Sequence, residues 1–126
     1  MEYVALVTVL LVSQYMVFIM LVGAARGKSG LQAPAVTGDE DFERAYRVQM
    51  NTLEQLVIAL PAMWVSGWYF DSMVAAVLGL AFFIGRVIYR AAYVSAPEKR
   101  GIGFGIGFLA VLGLIGTAAW GVISAL

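Results

Sequence analysis

Residues 3–28 read YVALVTVLLVSQYMVFIMLVGAARGK: twenty-three residues without a charge, ended by Arg26 and Lys28. A helix of about 20 apolar residues crosses a hydrocarbon core of roughly 30 Å, so this stretch is long enough to span a bilayer. Its leader, Met1-Glu2, lacks the basic start of a secretion signal, and the run is read as a retained span. Three further apolar runs follow, and the four are drawn at about 3–25, 42–70, 72–94 and 102–125. The expectation is a single all-α domain over residues 1–126, an integral membrane four-helix bundle. A mean hydropathy of +0.88, with 62% hydrophobic and only 13% charged residues, agrees with that class and not with an ordinary soluble domain.

The eight basic residues carry the topology. Arg26, Lys28, Arg44, Arg47, Arg86, Arg90, Lys99 and Arg100 fall in or beside the first and third connections between runs. The N-terminus, the connection 68–73 and the C-terminus have none. Because Lys and Arg are retained on the cytoplasmic side, loops 26–41 and 95–100 are expected there, with both termini on the opposite face. The membrane is either a bacterial inner membrane or an internal eukaryotic one. A formal net charge of zero, with no basic soluble surface, argues against a nucleic-acid partner.

The chain has no cysteine and no histidine, which excludes disulfides, thiol nucleophiles, Cys/His zinc sites and imidazole-based triads. No metal is expected. What remains is Arg, Tyr, Asn, Gln, Ser and carboxylates, a set suited to holding an anion. The acidic run Asp39-Glu40-Asp41 reads as a helix start, with Asp39 or Asp41 as cap. Pro61 lies inside the second span, where membrane helices tolerate proline, and a kink is expected near it. Trp64, Trp68 and Tyr69 read as interfacial anchors. The overlapping pairs Gly101/Gly105 and Gly103/Gly107 read as a close-packing seam, because no strand precedes them as a phosphate loop would require.

Two polar stripes enter the membrane. At 100° per residue, Arg44, Arg47, Asn51 and Glu54 lie within a sector of roughly 80° on the second helix, with Gln55 beside them. Arg86, Tyr89, Arg90 and Tyr93 share a face of the third. Ionisable groups at such depth are costly and read as functional. The competing reading is an internal ion-pair lock, Glu54 with Arg86 or Arg47. Four arginines outnumber the carboxylates Glu43 and Glu54, however, and the surplus positive charge calls for an anion. Arginine forks match carboxylates, and a buried Glu matches an ammonium.

The run FERAYRVQMNTLEQL (residues 42–56), followed by Pro61 and WVSG (64–67), resembles the signature of the MAPEG family, membrane-associated proteins in eicosanoid and glutathione metabolism. Arg86-x-x-Tyr89-x-x-x-Tyr93 followed by Arg100 is similar to the family's third-helix motif, and Arg26 stands at its first-helix arginine. The resemblance implies a homotrimer with glutathione as co-substrate, bound at subunit boundaries near the cytoplasmic face. Arg26, Arg47, Gln49, Asn51, Glu54, Tyr89 and Tyr93 would contact the tripeptide. Arg44 and Arg86 would support the site through ion pairs, and Arg100 would stabilise the thiolate. A thiol of ordinary pKa near 8.5 is mostly protonated at neutral pH, and an adjacent cation raises its nucleophilic fraction. The second substrate is then a lipophilic electrophile or lipid hydroperoxide from the bilayer, giving a glutathione transferase or peroxidase.

Gly27, Gln55 and Ser95 depart from the leukotriene-forming pattern, and Pro97 alters the third loop so that Lys99 and Arg100 compete for the activating role. A non-catalytic lipid-binding member of the family is the alternative. A small transporter subunit is a third reading, disfavoured by the lack of internal repeats or paired broken helices.

Overall fold

A computed structural model describes all 126 residues. Four helices follow in order: α1 (Glu2–Ser29), α2 (Glu40–Tyr69), α3 (Ser72–Ser95) and α4 (Gly101–Ala125), with a short 3₁₀ turn at Pro97–Lys99. There are no strands, so the expected all-α bundle is the observed class. α2 and α3 each pack on the other three helices, while α1 and α4 lie on opposite sides of that central pair. α1, α3 and α4 are long and apolar enough to cross a membrane. α2 falls outside that group: its first turns carry Glu40, Asp41, Glu43, Arg44 and Arg47, and its remainder is diluted by Glu54, Gln55, Pro61 and the polar aromatic end 64–69.

Local chemistry explains where the helices stop and start. α1 runs on past its apolar stretch, through Arg26 and Lys28. It ends at Gly30, whose φ of 73° is the left-handed conformation that closes a helix, with its N–H donating to the Arg26 carbonyl at 3.1 Å. Of the two candidate caps on α2, Asp39 is the one used: its carboxylate accepts from Phe42 N at 2.9 Å. Asp71 caps α3 in the same way, accepting from Val74 N at 2.8 Å, which fixes the tight α2–α3 connection. α2 continues as helix through Pro61.

The main core joins all four helices around Val4, Leu11, Met63, Phe82 and Leu114, each at most 1% exposed. A second cluster, Phe18, Val48 and Tyr89, sits nearer the polar stripes and holds Tyr89 in place. The α3–α4 seam is a backbone contact. A Cβ on Gly103 would fall 2.3 Å from Tyr89 N, and one on Gly85 would fall 2.8 Å from Gly107 N. Only one of the two expected glycine pairs works this way. Gly103 and Gly107 are buried, while Gly101 and Gly105 face open space, because the face opposite Gly103 turns away from α3. A Cβ on Gly121 would strike the Tyr69 backbone, and Gly67 lies against the Met1 side chain, so the termini and the α2–α3 turn occupy one end of the bundle. The two positive loops occupy the other, where Arg44 Nη1 donates to the Val94 carbonyl at 3.2 Å.

The outer surface is covered by large apolar side chains, among them Val9, Met16, Val57, Leu80, Val87 and Leu109. In water such a surface would associate, whereas in a bilayer it meets lipid or another chain.

Candidate functional site

One residue of each sequence stripe lines a cleft of about 500 Å³ at the positive end, formed by Asn51 of α2, Tyr89 of α3, Glu98 and Arg100 of the turn, and Gly101 and Phe104 of α4. Each wall has a local cause. Pro97 opens the 3₁₀ turn and pre-sets its backbone. The turn brings Arg100 back over α3, with Nη1 donating to the Pro97 carbonyl at 2.8 Å and the guanidinium 5.8 Å from the Tyr93 ring centre. Tyr89, 4% exposed, is clamped between Tyr93 (centroids 5.5 Å apart) and Phe104 (6.2 Å).

Arg86 lies behind the lining and holds Asn51 and Tyr89. It is 1% exposed, and its Nη2 donates to Asn51 Oδ1 and to Thr52 Oγ1, both at 2.9 Å. Its guanidinium stacks 4.0 Å from the Tyr89 ring centre. These contacts join α3 to α2 through neutral partners, so the expected Arg86 ion pair does not form. Two oxygens at Nη2 and an aromatic face stand in for a carboxylate, while Nε is buried without a partner. By accepting from Arg86, the Asn51 oxygen is fixed, which leaves the amide N–H₂ as the group Asn51 offers to a ligand. Arg44 does make an ion pair, with Glu40 one turn earlier, and ties the start of α2 to the end of α3.

The other candidates lie elsewhere in the single chain. Arg47 and Glu54 point outward from α2, exposed and without ion-pair partners, so the alternative of a Glu54 lock to Arg86 or Arg47 is not realised. Gln49 faces α1, where its Nε2 donates to Tyr15 Oη at 3.2 Å. Arg26 stacks 4.5 Å from the Phe42 ring centre and donates to the Ala35 carbonyl at 2.8 Å. The nine candidates other than Arg44 thus divide. Asn51, Tyr89 and Arg100 line the cleft, with Tyr93 and Arg86 packed against Tyr89; Arg47 and Glu54 form an outward stripe; Gln49 faces α1, on which Arg26 stands. Glu98, Thr52 and Phe104 were not singled out in the sequence. Glu98 had no visible signal, because only the turn at Pro97 carries it toward Asn51. Lys99 is exposed and does not line the cleft. No group of His, Cys, Asp and Glu side chains is arranged to hold a metal.

Chemically, the cleft offers one exposed arginine, an amide donor, a tyrosine hydroxyl and one carboxylate. That combination suits a zwitterionic or anionic ligand carrying carboxylates and an amine.

Comparison with known proteins gives the same direction. Residues 4–120 match the MAPEG family. An uncharacterized protein of Synechocystis is 47% identical over 88% of this chain and 81% of its own length. Microsomal glutathione S-transferase 2 of Homo sapiens is 41% identical over 89% of this chain and 78% of its own. Leukotriene C4 synthase of Bos taurus is 34% identical over 76% and 64%. With three membrane-length apolar helices in a four-helix bundle and a family match over nearly its whole length, this membrane protein belongs to the MAPEG family.

Proposed function

We propose that the chain is a membrane-bound glutathione transferase, or peroxidase, that activates the glutathione thiol for attack on lipophilic electrophiles or lipid hydroperoxides. The observation that carries this reading is the meeting of Arg100 with Asn51 and Tyr89 at one cleft. The relative named microsomal glutathione S-transferase 2, similar over 89% of this chain, supports it.

In this reading Arg100 stands beside the sulfur. Its guanidinium donates to and stabilises the thiolate and offers no acceptor for the proton, which leaves to solvent. The Tyr93 ring against Arg100 limits the space the guanidinium explores, and the Tyr89 hydroxyl is a second donor. The thiolate then forms a bond to an electrophilic carbon as the leaving group departs with its electron pair, or takes the terminal oxygen of a hydroperoxide as the O–O bond breaks. In the second case the alkoxide leaves as the alcohol, and the glutathione sulfenic acid condenses with a second glutathione to give the disulfide and water. The bilayer supplies that second substrate.

The outward stripe supports a homotrimer. Arg47 and Glu54 face the outer surface of the bundle, a costly place for charge if the neighbour were lipid. A second copy seated there would let Arg26 and Gln49 of one chain complete, for its neighbour, a site that one chain leaves divided. All four helices then span, the termini lie opposite the cytoplasm, and the sites lie near the cytoplasmic face. The test is conjugation of an activated aromatic chloride by the protein in phosphatidylcholine nanodiscs. Glutathione-dependent turnover lost in Asn51→Ala and Arg100→Ala is expected; equal turnover in all three proteins overturns the reading.

A further inference from the structure

On the side of α3 away from the cleft, a groove of about 490 Å³ runs between α1 and α3. That volume is in the range of small-molecule sites, and its walls are apolar: Leu10, Val17, Phe18, Phe83 and Val87. Three polar residues interrupt them: Ser13, which is exposed, and the two with buried unpartnered atoms, Gln14 and Arg90. Gln14 is 8% exposed; its Nε2 donates to the Phe83 carbonyl at 3.0 Å, so the amide orientation is fixed, and its Oε1 is buried with no partner. Arg90 closes the groove at the positive end. Its Nη1 is likewise buried without a partner, and its guanidinium rests 5.7 Å from the Phe18 ring centre. Arg90 also borders a smaller cavity that reaches Lys28, so the groove's polar end continues toward the loops.

An unpaired acceptor and an unpaired cationic donor in one apolar channel are each costly, and each specifies what would relieve it. Arg90 wants an anionic oxygen. Gln14 wants an O–H or N–H donor. Gln14 is bonded at Phe83, and seven residues of α3 separate Phe83 from Arg90, a rise of about 10 Å. A molecule satisfying both has an anionic head, a long apolar chain, and a hydroxyl partway along it. A phospholipid meets the first two requirements but offers no donor at the depth of Gln14.

We propose that this groove is a second binding site, separate from the glutathione cleft, for a long-chain fatty carboxylate with a mid-chain hydroxyl. The carboxylate forks onto Arg90, the chain lies along Val17, Phe18, Phe83 and Val87, and the hydroxyl donates to Gln14 Oε1.

Binding of radiolabelled 10-hydroxyoctadecanoate to the protein in phosphatidylcholine nanodiscs, with empty nanodiscs subtracted, tests this. The hydroxy acid is expected to bind about tenfold or more tightly than octadecanol, because a charge-assisted pair is lost in the alcohol. It should also bind about threefold or more tightly than octadecanoate or 2-hydroxyoctadecanoate, whose hydroxyl is absent or misplaced. Arg90→Gln removes the preference for acid over alcohol. Gln14→Leu removes only the preference for the mid-chain hydroxyl, and the ligand series on the unmodified protein stands even if Arg90→Gln does not fold. Equal binding of acid and alcohol, or no binding above the nanodisc lipid, overturns the proposal. So does binding abolished by saturating glutathione, which would put the acid in the cleft at Arg100.

Discussion

Replacing Gly103 with alanine adds one methyl group, and the geometry says where the damage goes. The new Cβ would stand 2.3 Å from Tyr89 N, 2.7 Å from Tyr89 Cα and 2.9 Å from the Gly85 carbonyl oxygen. All three are backbone or carbonyl atoms, so no rotamer change relieves the overlap. Ordinary contact begins near 3.4 Å, and α4 must therefore withdraw from α3 by about 1.1 Å at Tyr89. Overpacking of this kind costs about 1–3 kcal/mol. The displacement also separates the two walls that carry Tyr89 and Phe104, and a misplacement of about 1 Å in a positioned site costs on the order of 10²-fold in rate. Gly105→Ala is the matched control, because its Cβ meets nothing within 4 Å. Both variants gain up to about 1 kcal/mol in helix propensity, so their difference isolates the clash. Thermal unfolding in detergent and glutathione-dependent turnover should both fall for Gly103→Ala and hold for Gly105→Ala. Equal midpoints and equal turnover in the two variants would refute the packing argument.

Gly121→Ala places a Cβ 2.6 Å from the Tyr69 backbone, at the far end of the bundle, so it should lower the unfolding midpoint while leaving glutathione affinity near wild type by equilibrium dialysis. Arg86→Gln should cost about 1–2 kcal/mol in denaturant unfolding, because a shorter neutral side chain gives up the bonds to Asn51 and Thr52. Glu54→Gln and Arg47→Ala should leave helicity unchanged by circular dichroism, since both side chains are exposed, yet weaken glutathione binding by about tenfold. Cross-linking in native membranes should trap three copies, and a product no larger than a monomer would contradict the assembly.

The apolar runs made the helices readable, and the alternation of charged and uncharged connections made their ends readable. The acidic run 39–41 was legible as a helix start, but it offered Asp39 and Asp41 equally, and the helix begins early enough to use Asp39. Helical spacing placed Arg47, Asn51 and Glu54 on one face, but a sector of about 80° is wide enough to be split by the edge of a bundle. Asn51 turned inward to Arg86, while Arg47 and Glu54 turned outward. The stripe on α3 divides in the same way: Arg86 reaches toward α2, and Arg90 reaches toward Phe18 of α1. Long guanidinium side chains choose between neighbours that periodicity does not identify. The glycine pattern on α4 announced a close contact without naming its partner, and Gly85 on α3, a lone glycine with no motif around it, supplied it. Glu98 lay beyond sequence reasoning because its position depends on the path of a three-residue turn.

The central claim, that this cleft holds glutathione with Arg100 beside its sulfur, is tested most directly by an ultraviolet difference spectrum at neutral pH. The detergent-purified protein is titrated with glutathione, wild type against Arg100→Ala. A thiolate band in the wild type that is lost in the variant, while glutathione still binds, is the predicted result. A band of equal size in both proteins, or binding with no band in either, would contradict it.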